Sequence, residues 1–170
     1  MKVLYDYAAF VMQAKGGVSR VLYELFRHVS MMPDIECRLF AGFHKNQYLR
    51  DAPRTVKKNI IGWYLPAWLV KQRIFMPVNR LLFRFYAAIF KPDVCHHTYF
   101  DTPKVPDGCK VVITVHDMIH ELYPEMFGPD DPQHNWKVKA VAHADRVICV
   151  SENTRRDLGR FIDIAGKKVT

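Results

Sequence analysis

Two apolar runs in the chain each end on a polar cluster: Val111-Val112-Ile113-Thr114-Val115-His116-Asp117 and Arg146-Val147-Ile148-Cys149-Val150-Ser151-Glu152. A β-branched run closing on ionisable or hydroxyl side chains reads as a buried parallel strand whose C-terminal end opens into a binding cleft. There His116 can hydrogen-bond a hydroxyl or phosphate, or transfer a proton near neutral pH, with Asp117 to orient it. The alternative is an Asp117 that caps the next segment and a His116 satisfied by backbone. His120 lies four residues on, but the pair follows a strand end rather than sharing a helix face, so no metal site is expected.

Three further clusters carry chemistry. Lys15-Gly16-Gly17-Val18-Ser19-Arg20 stands between a strand and a helix. Gly16 and Gly17 would let the backbone approach a ligand, and the first N–H groups of the helix would favour an anion. The run lacks the third glycine of a dinucleotide fingerprint and is no P-loop, and a plain turn explains it equally well. In Cys95-His96-His97-Thr98-Tyr99, period-two alternation turns His96 and His97 to opposite faces, so at most one meets the cleft, and His97 is the candidate. Ser151 reads first as a helix cap.

The net charge of +8 belongs to one segment. Residues 52–92 hold Arg54, Lys57, Lys58, Lys71, Arg73, Arg80, Arg84 and Lys91 and no acid, while the other 17 Lys and Arg balance the 17 Asp and Glu. At 100° per residue, Arg73, Arg80, Arg84 and Lys91 form a narrow stripe beside an apolar flank of Ile74, Val78, Leu81, Leu82, Phe85 and Ile89. Phe75, Phe83, Tyr86 and Phe90 widen that flank, and Trp63, Tyr64 and Trp68 precede it. Cations, aromatics and a wide apolar face suit a helix lying on an anionic membrane surface, with Trp68, Arg73, Arg80, Arg84 and Lys91 as its contacts. A core helix with solvated arginines is the competing reading, and nucleic acid is the weakest of the three.

The elements that position these groups follow from periodicity. Strands are expected at Lys2 to Tyr7, Ile35 to Phe43, Val94 to Phe100, Lys110 to Val115 and Arg146 to Val150, with another beginning at Lys167. Helices are expected from about Val18 to Met31, from Asp131-Pro132 to about His143, and from Glu152 to about Ile164. Residues 44–91 read as loop plus helix, kinked or restarted at Pro77. This alternation, with strands too apolar for a one-sided sheet, predicts a doubly wound, mostly parallel, Rossmann-like α/β domain. Its ligand rim should collect Tyr7, His97, His116 and Ser151.

The 170 residues, 49% apolar and 25% charged, suit one folded domain and exclude a disordered chain. Cys37, Cys95, Cys109 and Cys149 have no paired spacing, which favours free thiols and a cytoplasmic setting. Asp6 interrupts the N-terminal apolar run too early for a signal peptide, and no apolar stretch reaches membrane-spanning length.

In this order, Gly16-Gly17-Val18-Ser19-Arg20, His96-His97-Thr98, Thr114-Val115-His116-Asp117-Met118, Pro124-Glu125-Met126-Phe127 and Ala144-Asp145-Arg146-Val147-Ile148-Cys149-Val150-Ser151-Glu152 resemble the N-terminal domain of family four retaining glycosyltransferases, which have two facing Rossmann-like domains. The resemblance covers nearly the whole chain. It implies transfer of a sugar from a nucleotide-diphosphate sugar to a glycan or lipid-linked acceptor in polysaccharide biosynthesis, with retained configuration and no obligatory metal or other cofactor. Gly16 and Gly17 map near the donor phosphates or acceptor, His116 to the donor sugar, Asp117 to the cleft, and Ser151 and Glu152 to structural roles. Residues 1–170 would be the acceptor-side half, at the inner face of a membrane. The C-terminal half, which holds most of the nucleotide, lies outside the chain, so little activity is expected alone. A non-catalytic membrane-docking or partner-binding domain of the same fold is the alternative; a dinucleotide-binding domain is weakened by the incomplete glycine pattern.

Overall fold

The computed structural model describes residues 1–128 and 131–170. Among them, seven strands form one parallel sheet: β1 (Lys2–Tyr5), β2 (Glu36–His44), β3 (Ile60–Tyr64), β4 (Val94–His97), β5 (Lys110–Val115), β6 (Arg146–Cys149) and β7 (Lys168–Val169). Their order is β3-β2-β1-β4-β5-β6-β7. The winding reverses between β1 and β4, and at such a reversal the connections leave in opposite directions and open a crevice beyond the strand ends.

Among the described residues, eight α-helices fill the connections: α1 (Ala8–Met12), α2 (Gly17–Val29), α3 (Gln47–Arg50), α4 (Arg54–Lys57), α5 (Gln72–Phe90), α6 (Ile119–Leu122), α7 (Gln133–His143) and α8 (Glu152–Phe161). Successive strand residues feed opposite cores, as the pleat requires. Val3 and Tyr5 pack with Leu39 of β2 and with Leu22 and Phe26 of α2. Leu4 turns the other way, to Phe40, Cys95 and the Phe83 and Ala87 of α5. Ile113, Val115 and Val147 bury Ala140 and Val141 of α7 and Leu158 of α8.

Several expectations need correction. The first strand stops at Tyr5, because Asp6 turns the chain into the short helix α1. The fourth stops at His97, where Thr98 bonds back to Asp6. The segment read as loop plus helix contains α3, α4 and the edge strand β3 before α5. Helix α5 is continuous through Pro77, which removes one internal hydrogen bond while the packed face holds the helix together.

The face that packs inward takes Phe83 and Phe90 from the apolar residues beside the stripe. Asn79, Phe83, Ala87 and Phe90 point inward, whereas Ile74, Leu81, Phe85 and Ile89 stand exposed. Asn79 sets the orientation: its Oδ1 accepts from Phe43 N–H at 2.9 Å and its Nδ2 donates to Phe43 O at 3.0 Å. Gly42 lies beneath this clamp at φ 57°, beside the register shift between β2 and β3, and a Cβ there would run into the Asn79 carboxamide.

Candidate functional site

The connections that follow β1, β4, β5 and β6 meet along one edge of the sheet. At the reversal point, the wholly buried Asp6 ties β1 to β4. Its Oδ1 accepts from Thr98 N–H at 2.9 Å, Ala8 N–H at 3.2 Å and the Thr98 hydroxyl, and its Oδ2 meets His97 Nδ1 at 2.7 Å. Thr98 Oγ1 in turn accepts from Ala9 N–H at 3.1 Å. Here backbone donors at the start of α1 and the end of β4 converge on one carboxylate, which needs them to remain buried.

His97 therefore lies beneath the rim rather than on it. Its side chain is completely buried, and its Nε2 has no hydrogen-bond partner among the described residues. His96 faces the opposite side, as alternation requires, with Nε2 2.9 Å from Thr114 Oγ1. Burial pushes its pKa down to about 4. Tyr7, also expected on the rim, is buried, and its hydroxyl donates to Asp101 at 2.8 Å.

The glycine turn opens α2. Gly17 is the first helical residue, and Gly16 precedes it in an extended conformation. Gln13 folds over the turn, its Oε1 accepting from Ser19 N–H at 3.0 Å, so one free N–H of the first turn is occupied from within the chain. Gln13 is itself held by Asn46, whose Nδ2 donates to its carbonyl at 2.8 Å. A Cβ on Gly16 would sit 2.5 Å from Gln13 Oε1, whereas one on Gly17 would meet nothing within 4 Å. A Cβ on Gly16 would press only on the movable end of Gln13, and the N–H groups of Gly17, which is exposed, and Val18 have no helical carbonyl within reach.

His116 ends β5 half-buried. Its Nε2 is buried with no partner among the described residues. Burial lowers its pKa, opposed more weakly by the charge of Asp117, so the ring is neutral at pH 7. Asp117 is exposed, and its Oδ1 accepts from Ile119 N–H at 3.2 Å, which is the capping role. From below, Lys137 Nζ donates to the Asp117 carbonyl at 3.1 Å and pairs with Glu121 Oε2 at 2.7 Å. This buried lysine escaped the sequence reading; its signal is a cation in register with Ala140, Val141 and Ala144 on the apolar side of α7. Ser151 is exposed, and its Oγ accepts from Thr154 N–H at 3.1 Å as a helix cap.

His120 does not join His116: it pairs with Asp131 at 2.6 Å and stacks on Phe127. Among the described residues, no group of three or more His, Cys, Asp or Glu could hold a metal ion, and no helix is long and apolar enough to cross a membrane. All four cysteines are free. Trp68, Arg73, Arg80, Arg84 and Lys91 are exposed, with Trp68 at 76% and the neighbouring Ile89 at 81%. Lys91 closes α5 in the left-handed conformation at φ 52°.

The model of Glycosyltransferase Family 4 matches residues 15–170. No curated protein matches the sequence. The fold is similar to that of sucrose-phosphate synthase from Thermosynechococcus elongatus, with a TM-score of 0.70 at 14% identity, over 100% of this chain and 47% of that one. The chain thus spans about half the length of that protein. With a family match over nearly its whole length and a parallel sheet that reverses at β1 and β4, the chain belongs to glycosyltransferase family 4.

Proposed function

We propose that the chain is the acceptor-side half of a retaining glycosyltransferase that moves a sugar from a nucleotide-diphosphate donor to a glycan or lipid-linked acceptor in polysaccharide biosynthesis. The observation that carries this reading is His116, a neutral, half-buried imidazole at the end of β5 whose Nε2 has no partner among the described residues, on the same strand-end rim as the first turn of α2. A neutral ring can share a hydrogen bond with a sugar hydroxyl without adding charge. The N–H groups of Gly17 and Val18 suit the oxygens of a departing diphosphate, whose growing charge fixed dipoles stabilise. Asp117 would stand at the edge of the same rim, which His97 would support through Asp6. None of these contacts requires a metal ion or other cofactor.

The reaction would take place at the inner, anionic face of a membrane, on which the exposed apolar stripe of α5, with Trp68 and Lys91, would rest. Most of the donor would be held by a second domain, so the chain alone would turn over little. The test joins the chain in one polypeptide to a nucleotide-sugar-binding second half and assays a panel of nucleotide-diphosphate sugars, following anomeric configuration by NMR. Retained-configuration transfer from one donor is expected; no turnover of any donor with both halves folded would overturn the reading.

The exposed stripe of α5 also favours a second reading, in which the domain docks on a membrane or partner without catalysis. His116→Ala separates them, because loss of transfer with vesicle binding intact leaves only the enzyme.

A further inference from the structure

A groove of about 700 Å³ runs between α5, the connection after β4 and α7. Arg73, Arg84, Lys104 and Lys139 line it, all exposed. Among the described residues, none of these four forms an ion pair, whereas six other Lys and Arg do so with Asp or Glu partners elsewhere on the surface. The acid in the groove wall, Asp101, is already engaged on both sides. Tyr7 Oη donates to one oxygen at 2.8 Å from the core, and Arg80 Nη2 meets the other at 2.5 Å from the surface.

This arrangement fixes the wall while leaving four cations uncompensated around a concavity. Trp136, 44% exposed on the first turn of α7, adds its indole to the same groove. An indole binds the apolar face of a sugar ring, and guanidinium groups bind phosphate oxygens two at a time. A phosphate carries nearly two charges at pH 7, which suits four converging cations better than a single carboxylate does. The volume lies within the range of small-ligand pockets.

We propose that this groove binds a phosphate-bearing sugar of the acceptor, with the ring against Trp136 and the phosphate among Arg73, Arg84, Lys104 and Lys139. The inference rests on the acceptor-side reading above and names the chemical class of that acceptor. Lipid would occupy a different surface: the apolar stripe of Ile74, Leu81 and Phe85 lies about 100° around α5 from the groove-lining arginines.

The test is an NMR titration of the full chain with glucose 1-phosphate, read at the three tryptophan indole N–H signals and assigned with Trp136→Phe. A saturable shift of Trp136 is expected, with Trp63 and Trp68 unmoved. Arg84→Gln and Lys139→Gln, both at exposed positions, should each weaken it about tenfold. Methyl glucoside should leave Trp136 unmoved, and inorganic phosphate should bind about tenfold more weakly. Phosphatidylglycerol vesicles should move Trp68 and spare Trp136. No saturable shift with glucose 1-phosphate overturns the proposal. So does an equal response to methyl glucoside, inorganic phosphate or vesicles, or unchanged affinity in both variants. Sugar transfer without a Trp136 response would remove this inference alone, whereas a Trp136 response without turnover of any donor would remove the enzymatic reading.

Discussion

Removing the Asp6 carboxylate should damage the fold more than any other single polar change. Asp6→Ala strips the acceptor from Thr98 N–H, Ala8 N–H, the Thr98 hydroxyl and His97 Nδ1, all of them buried. A buried donor left unpaired costs about 1–3 kcal/mol, so three or four of them amount to about 3–12 kcal/mol. That is comparable to the about 5–15 kcal/mol that holds an average domain together. Asp6→Asn keeps Oδ1 in place for the backbone donors and loses chiefly charge assistance and the His97 contact, and should cost about half as much. Thr98→Val removes one donor to Asp6 and the acceptor for Ala9 N–H, at about 1–3 kcal/mol, and remains measurable if Asp6→Ala does not fold. Urea unfolding followed by far-UV circular dichroism orders the three. If Asp6→Ala unfolds within about 1 kcal/mol of the parent, the carboxylate is not what joins β1 to β4, and the argument from buried donors fails.

Stability should also fall on mild acidification. Burial holds both His44 and His96 at about 4, below the roughly 6.5 of an unfolded histidine, so the unfolded chain binds more protons between these values. Their contribution is complete above pH 6.5 and is lost as pH falls towards 4, by about 2 kcal/mol each at pH 5, and His96→Gln should remove about half of the difference between melts at pH 7 and pH 5. Gly42→Ala should cost about 2 kcal/mol or more in the same melts, since alanine resists φ 57° and its methyl would displace the Asn79 clamp. Phe85→Asp should weaken sedimentation with anionic vesicles at least about tenfold while leaving the melt unchanged, because Phe85 is 63% exposed and contributes little to the core.

The sheet was legible because β5 and β6 are nearly continuous apolar runs and apolar residues dominate β1 and β2, a pattern that burial on both faces imposes. Strand β3 escaped because Ile60–Tyr64 lies at the sheet edge, follows Lys57 and Lys58, and is interrupted by Gly62, which bends to pass Gly42. The α5 stripe was legible as a pattern, but its inward side was not: both flanks are apolar, and Asn79, the one polar residue turned inward, reveals the direction only once Phe43 is placed against it. At the rim, period two correctly separated His96 from His97 and the serine cap was read correctly. Sequence could not show that Asp6, 91 residues away, would bury His97, or that Lys137 would support the Asp117 turn, because both are tertiary contacts.

The central claim is that the rim at the ends of β1 and β5 handles a donor sugar through His116. It is tested most directly by steady-state transfer kinetics of His116→Ala against the parent, both joined to the same nucleotide-sugar-binding half. Loss of a group acting in the transition state predicts a fall in kcat of about 10²-fold, with the melting temperature and vesicle binding preserved. Undiminished kcat in a folded His116→Ala protein would contradict it.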